Sequence, residues 1–94
     1  MSVLSEASAE LQYAKIFDVD VMKRMLEVLD DKGASKITNL GMFSGVNHNT
    51  CKRYVYLMGR FGWIRTAYDG RSTMIHLTDT GRSVLRSLFD YLRD

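Results

Sequence analysis

Between Lys36 and Arg71 the chain concentrates side chains that hydrogen-bond or carry positive charge. Asn47, His48, Asn49 and Thr50 follow one another directly, Lys52, Arg53, Tyr56 and Arg60 come next, and Arg65, Arg71 and Ser72 lie beyond. Amides and hydroxyls offer donors and acceptors together, whereas ammonium and guanidinium groups offer donors alone and attract anions. Such a set recognises surfaces rather than making or breaking bonds. The residues that would make bonds are missing as patterns: there is no Gly-rich phosphate loop, no His-Glu-x-x-His, no nucleophile elbow, and no carboxylate pair outside the acidic N-terminal third. The sequence therefore reads as a non-enzyme. His48 and His76 have no acidic or cysteine partner at ligand spacing, so no metal or other cofactor is expected.

Charge is unevenly spread. Residues 1–31 hold Lys15, Lys23 and Arg24 against seven carboxylates, a net −4. Residues 32–78 hold Lys32, Lys36, Lys52, Arg53, Arg60, Arg65 and Arg71 against Asp69 alone, a net +6. Residues 79–94 balance, and the total is +2. A basic middle suits a phosphate-facing surface. It also suits a solvated face whose charges cluster, and charge alone leaves the two even.

At 94 residues, 46% hydrophobic and 26% charged, the chain has the size and balance of one globular domain. No apolar run approaches the ~18 residues of a membrane span. The Met1-Ser2-Val3-Leu4 start, with Glu6 and Glu10 following, lacks the basic and apolar regions of a signal peptide. A cytoplasmic, nucleoid-associated protein is expected. A single cysteine, Cys51, excludes an intrachain disulfide and, on the apolar side of its helix, reads as a buried thiol.

The elements that must position these residues follow from caps and periodicity. Ser5–Phe17 reads as a helix with Ser5 as N-cap and a narrow stripe of Ala7, Leu11 and Ala14. Asp18 caps a second helix whose Met22, Met25, Leu26 and Leu29 share one face, and Gly33 suits its left-handed C′ position. Ser35 is expected to cap a third, with Ile37, Leu40 and Phe43 on one side. That helix stops at Ser44-Gly45, and Val46 follows as a buried turn residue. Gly41-x-x-x-Gly45 reads as loosening before the turn. Asn47 caps a fourth helix running to about Phe61, with Cys51, Tyr54, Val55, Met58 and Phe61 inward and His48, Asn49, Lys52, Arg53, Tyr56 and Arg60 outward.

Past Gly62 the period changes to 2. Trp63–Tyr68 and Arg71–Leu77 flank Asp69-Gly70, a dipeptide favoured in two-residue type I′ turns. Pairing Tyr68 with Arg71 sets Thr66 opposite Thr73 and Ile64 opposite Ile75. Thr78 caps the last helix, where Val84, Leu85, Leu88, Phe89 and Leu92 supply an apolar face. The six methionines read as core filler. The expected fold is mainly α with a small β-hairpin (α+β): a winged helix-turn-helix with additional N- and C-terminal helices. Residues 1–17 form the N-terminal helix, 18–78 the winged-helix core and 79–94 the C-terminal helix, all in a single domain.

Gly45-Val46-Asn47 at the turn, Lys52-Arg53-Tyr54 within the next helix, Leu57 with Gly62-Trp63-Ile64 at its end, and Leu77-Thr78-Asp79-Thr80-Gly81-Arg82 carry a resemblance. Over about residues 18–90 the sequence resembles winged-helix regulators of the MarR and PadR type, and still more the small archaeal winged-helix transcriptional regulators. Gly59, Arg60 and Phe61 depart from the charged residues usual before that glycine.

The resemblance implies a sequence-selective double-stranded DNA-binding protein, a transcriptional regulator or repressor acting as a homodimer. A recognition helix presents its N-terminal half to base edges in the major groove. Asn47, His48, Asn49 and Thr50 lie there, Asn49 suited to adenine and Arg53 to guanine. Lys52 and Arg60 suit phosphates. Lys36 and the wing residues Arg65, Arg71 and Ser72 flank them, Arg71 able to reach a minor groove. Asn47 is equally an N-cap, and Tyr56 stays open between phosphate contact and rim residue. Tyr54 and Trp63 read as core. Leu11, Phe17, Leu88, Phe89 and Leu92 are the expected dimer interface. Two other readings are an architectural DNA-coating protein of low specificity and a winged-helix module that binds protein.

Overall fold

Asp18 starts the first described helix by chemistry its side chain dictates. Its carboxylate accepts the Asp20 N–H at 2.8 Å, and helix α1 runs Val19–Lys32. The structure is a computed structural model that describes residues 17–92, and the side chains of residues 17–90. Of the helix expected over Ser5–Phe17, only Phe17 therefore lies among the described residues. Met22, Met25, Leu26 and Leu29 are buried along one face of α1, as the spacing predicts. Gly33 ends it at φ 82°, but with ψ −168°, which is not the left-handed helical cap that was expected. The extended ψ carries the chain straight into a strand.

That strand is the first departure from the sequence reading. Ser35 does not cap a helix. Strand β1, Ser35–Lys36, pairs antiparallel with a later strand, placing Ser35 opposite Ile75 and Lys36 opposite Met74. Ser35 Oγ donates back to the Gly33 carbonyl at 2.9 Å. Helix α2, Ile37–Ser44, starts at Lys36 without a side-chain cap. A two-residue strand has no periodicity to detect, and its pairing partner lies far along the chain.

Helix α2 buries Leu40, Gly41 and Ser44, and Phe43 is half-exposed at 51% rather than inward. The Lys32 ammonium lies 4.4 Å from the centre of the Phe43 ring. The buried row depends on Gly41: a Cβ there would meet the Val46 carbonyl oxygen at 3.1 Å and Cys51 Cβ at 3.4 Å. Gly41 is thus a close helix-to-helix contact, not loosening before the turn. Val46 N–H to Gly41 O (3.0 Å) and Gly45 N–H to Met42 O (3.3 Å) then close a Schellman turn with Gly45 left-handed. Val46 is half-buried against the core.

Helix α3, His48–Arg60, begins where Asn47 Oδ1 accepts the Thr50 N–H at 2.9 Å. Cys51, Tyr54, Val55 and Met58 face inward as expected, joined by Leu57, while Phe61 is half-buried. Burial pushes the Cys51 thiol above its ordinary pKa. The Tyr54 hydroxyl accepts the Asp18 N–H at 2.8 Å, so a core tyrosine fixes the start of α1 to α3.

Strands β2, Ile64–Tyr68, and β3, Thr73–Leu77, complete a three-stranded sheet in the order β1-β3-β2. The hairpin register differs from the expected one by two residues: Tyr68 pairs with Thr73, Thr66 with Ile75, and Ile64 with Leu77. The loop is therefore four residues, Asp69 to Ser72, not a two-residue type I′ turn. Asp69 explains the difference, since its Oδ1 accepts the Arg71 and Ser72 N–H groups at 3.0 and 2.9 Å while its own N–H bonds Ser72 O at 3.1 Å. A shift of two preserves the face of every side chain, so Ile64 and Ile75 are both still buried, at 2% and 1% exposure.

Helix α4, Asp79–Leu92, is capped by Thr78, whose Oγ1 accepts the Gly81 N–H at 3.0 Å. Leu85 is buried, Val84 and Leu88 partly so, and Phe89 is 46% exposed. Gly81 is buried against the Trp63 carbonyl so tightly that a Cβ would lie 1.9 Å from its oxygen. The obstacle is backbone, which cannot rotate aside. Gly81→Ala should accordingly destabilise the domain by about 3 kcal/mol, at the upper end of overpacking costs. Thermal unfolding of the variant should show a Tm lower by roughly 12–24 °C; an unchanged Tm would contradict this contact.

Candidate nucleic-acid interface

The outward face of α3 and the adjoining strand β2 present one continuous polar surface. His48, Asn49, Lys52, Arg53, Tyr56 and Arg60 are all exposed, as their spacing predicts, and Thr50 is partly buried in the first turn. Asn47 to Thr50, with Lys52 and Arg53, line an open hollow at the N-terminal end of α3. Lys52 also borders a second groove, shared with Val55, Tyr56, Gly59 and Arg60 of α3 and Ile64, Arg65 and Thr66 of β2. The two concavities thus meet at Lys52.

At the N-terminal end, Asn47 fills the structural role that its position allowed. One lone-pair site of its carbonyl is committed to Thr50 N–H, while the amide NH2 remains a donor. The first turn of α3 contains no acidic residue, so nothing on the helix offsets the positive end of its dipole. Farther along, the Arg60 guanidinium lies 6.0 Å from the Tyr56 ring centre and donates to the Tyr56 hydroxyl at 3.3 Å. Tyr56 is 62% exposed and is held in place by Arg60.

Lys36, Arg71 and Ser72 lie outside both concavities. Arg71 is exposed in the β2–β3 loop, and Ser72 is partly buried there with its N–H bonded to Asp69. Lys36 is exposed at the β1–α2 junction and close enough to Asp69 to act on its charge. Asp69 is the sole carboxylate in residues 32–78, and its hydrogen bonds hold it within its own loop. Two residues on this surface escaped the sequence reading. Thr66 lies in the groove, and Tyr68 is 70% exposed near the wing tip. Tyr68 has the same strand parity as buried Ile64, so alternation alone points it inward. It is exposed because the ribbon outruns the core there.

Three cations of α1 and α4 pair with carboxylates: Lys23 with Glu27 at 2.6 Å, Arg24 with Asp20 at 3.3 Å, and Arg82 with Asp30 and Asp79 at 3.3 and 3.4 Å. Lys32 of α1 lies over the Phe43 ring instead, and Arg86 of α4 forms no ion pair with any of the described residues. Arg24 also donates to the Ser44 carbonyl at the end of α2. Lys52, Arg53, Arg65 and Arg71 form no ion pair with any of the described residues.

The residues named for a dimer interface divide as well. Phe17 stacks edge-on against Tyr54 at 4.7 Å and packs on this domain's own core. Leu88 is partly buried on that core, and Phe89 is exposed beneath the Lys23 ammonium, 4.1 Å from its ring centre. Leu11 and the side chain of Leu92 lie outside the described residues.

A helix-turn-helix followed by a β-hairpin and backed by a third strand defines a winged helix. Its likeness among solved structures is to MarR-family winged-helix transcriptional regulators. A MarR-family regulator from Silicibacter pomeroyi is 31% identical, with a TM-score of 0.71 over 79% of this chain and 51% of its own. A second from the same organism is 26% identical, with a TM-score of 0.64 over 96% of this chain and 68% of its own. Bordetella bronchiseptica BpsR, whose DNA binding is regulated by 6-hydroxynicotinic acid, shares the fold at 15% identity and a TM-score of 0.72, over 78% of this chain and 53% of its own. The chain spans about half the length of the first of these. No family model matches it, and neither does any curated protein.

The wing loop carries a pH dependence of definite sign. The N–H groups of Ser72 and Arg71 hold the Asp69 carboxyl below the ordinary aspartate pKa. A depressed folded pKa means that the loop's stabilisation is complete above the unfolded pKa and is lost as pH falls through the folded one. A carboxyl NMR titration should place the Asp69 midpoint below that of a free aspartate. The Arg71 and Ser72 amides should exchange faster in Asp69→Ala, and unchanged exchange would show the carboxylate not to hold the loop.

Proposed function

We propose that this protein is a sequence-selective double-stranded DNA-binding transcriptional regulator that acts as a homodimer, with α3 as the recognition helix and the β2–β3 hairpin as the wing. The observation that carries the reading is a cluster of cations without carboxylates on α3 and the hairpin. Lys52, Arg53, Arg65 and Arg71 have no ion-pair partner among the described residues, whereas Lys23, Arg24 and Arg82 on α1 and α4 are each paired. A duplex supplies the missing anions along its two backbones. Asn47, His48, Asn49 and Thr50 at the leading end of α3 then meet base edges and nearby phosphates, with Asn49 on adenine and Arg53 on guanine. Lys36, Lys52, Tyr56, Arg60 and Arg65 contact the backbone, and Arg71 with Ser72 reaches the adjoining minor groove from the wing. The likeness to MarR-family regulators supports the same reading and its non-enzymatic character.

Selection of bound duplexes from a random pool tests the function directly. An enriched motif is expected. A flat result would make the protein a DNA-coating one, and no recovery would make it a module that binds protein. Binding should weaken with salt by counterion release from Lys36, Lys52, Arg53, Arg60, Arg65 and Arg71, with a log–log slope of about −0.9 per phosphate neutralised. Arg53→Ala should cost roughly 1–3 kcal/mol on the preferred site and blur one position. Arg71→Ala should weaken binding more evenly or alter preference for a narrow minor groove. Equal, uniform losses for both would make Arg53 a phosphate contact.

The dimer rests on apolar side chains beyond what the winged helix requires, Phe89 foremost, with Leu11, Leu88 and Leu92. A twofold dimer would set two recognition helices ~34–36 Å apart, one turn of duplex. Sedimentation equilibrium at micromolar concentration should give a dimer of the 10.8 kDa chain. A monomer that still binds DNA tightly would refute it. Phe89→Glu, at an exposed position, should yield folded monomers with weakened operator binding.

A further inference from the structure

Six of the seven glycines have a structural reason to be glycine, and the seventh does not. Gly33, Gly45, Gly62 and Gly70 have positive φ, between 75° and 92°. A Cβ at Gly41 or Gly81 would press on backbone atoms of Val46 or Trp63. Gly59 meets neither condition. It lies inside α3 with no positive φ, it is exposed, and a Cβ there would find no atom within 4 Å. Glycine in a helix costs conformational entropy that alanine does not, so by itself the fold would favour almost any other residue at this position.

The surroundings of Gly59 point to what the missing side chain accommodates. It lines the groove between α3 and β2, whose apolar floor is Val55 and Ile64 together with Ile37 of α2. Lys52, Arg60 and Arg65 border the groove, the Thr66 hydroxyl joins them, and no carboxylate lines it. An occupant must therefore be anionic at its edges, with apolar surface to lay against the floor. A phosphodiester strand has that alternation, phosphates for the cations and sugar faces for Val55 and the bare backbone of Gly59. Close approach of backbone to a ligand is a reason for glycine that leaves no trace in the free protein.

We infer that Gly59 is the point of closest approach of one duplex strand, which lies in the α3–β2 groove with its sugar against the glycine and its phosphates between Lys52 and Arg65. The inference rests on the DNA-binding reading and adds a positioning residue to it. Its signature is an opposition between stability and affinity. Gly59→Ala should raise Tm by roughly 4 °C, because it favours the helix and touches nothing. The same variant should bind duplex roughly tenfold more weakly, as steric insertions at packed contacts do, and Gly59→Leu more weakly still. Because a sugar–phosphate strand carries no base identity, the loss should be alike on the selected sequence and on random duplex.

The experiment is a pair of measurements on the full chain, thermal unfolding and salt-controlled duplex titration, for wild type, Gly59→Ala, Gly59→Leu and Lys52→Ala. Raised Tm with graded, sequence-independent loss of affinity supports the groove. Undiminished affinity in Gly59→Leu, beside a weakened Lys52→Ala, overturns the groove while leaving DNA binding intact. A wild type that binds no duplex overturns both. A Tm lowered by Gly59→Ala would show an unseen packing role and overturn the inference from the free helix.

Discussion

The Trp63 carbonyl is the point at which recognition helix, wing and last helix are joined. Trp63 N–H closes the end of α3 by bonding Met58 O at 3.0 Å, so its backbone is fixed from one side by the helix. From the other side its carbonyl receives Thr78 N–H at 3.1 Å, and Thr78 Oγ1 lies 2.9 Å from it and 2.6 Å from the Gly62 carbonyl. Thr78 is also the N-cap of α4. One residue thus ties the bottom of the hairpin shut and starts the next helix. Gly81 is the geometric condition for it, since any side chain there would displace the oxygen. The orientation of the wing relative to α3 follows from this junction, and with it the distance over which Arg65 and Lys52 share a groove.

A second tie works from the middle of α3. Tyr54 lies in the core at 6% exposure yet reaches the Asp18 N–H, and its ring takes Phe17 edge-on. Gly41 lets α2 approach Cys51 on the same side. Helix α3 is therefore held along its inner face by α1, α2 and the sheet, while its outer face turns polar side chains outward, with Tyr56 and Arg60 in contact. That division lets hydrogen-bonding and basic residues occupy the outer positions without a folding penalty beyond charge repulsion. The repulsion itself is modest at ordinary ionic strength, because exposed charges more than ~8–10 Å apart are screened.

Much of this was readable in the sequence because it is local. Asp18, Asn47 and Thr78 cap where they were expected to, since a cap involves a side chain and an N–H two or three residues on. The inward and outward faces of α3 follow from a period that thirteen residues repeat several times. What was not readable depends on distant partners or on competition between similar local solutions. Ser35 and Lys36 become a strand only because β3 has an open edge forty residues later. Asp69-Gly70 fits a two-residue turn, but the Asp69 carboxylate can also gather two N–H groups across a longer loop, and that solution is adopted. Phe43 follows the helical period yet lies outside, because Gly41 and Ser44 bring α2 too close for a large ring. The polar set on α3 was legible by type, whereas its meeting with Arg65 and Thr66 in one groove required the hairpin's real direction.

The proposed interface is also where the sequence and the demands of folding part company. Elsewhere the chain follows local rules closely: Lys23, Arg24 and Arg82 have carboxylate partners, side chains cap the starts of α1, α3 and α4, and tight glycines sit where no side chain fits. On the outer face of α3 and along β2 it keeps a helix-weakening glycine, cations without carboxylates, and tyrosines at 62% and 70% exposure. Each feature alone is common on protein surfaces. Their coincidence on one side of one helix and its wing is not accounted for by stability, since acidic or alanine substitutions there would serve the isolated fold better. A bound polyanion reverses each preference at once: it partners the cations, covers the aromatic rims and fills the space that a side chain at Gly59 would occupy. Under the proposed function, the free domain carries a surface that an anionic strand would complete.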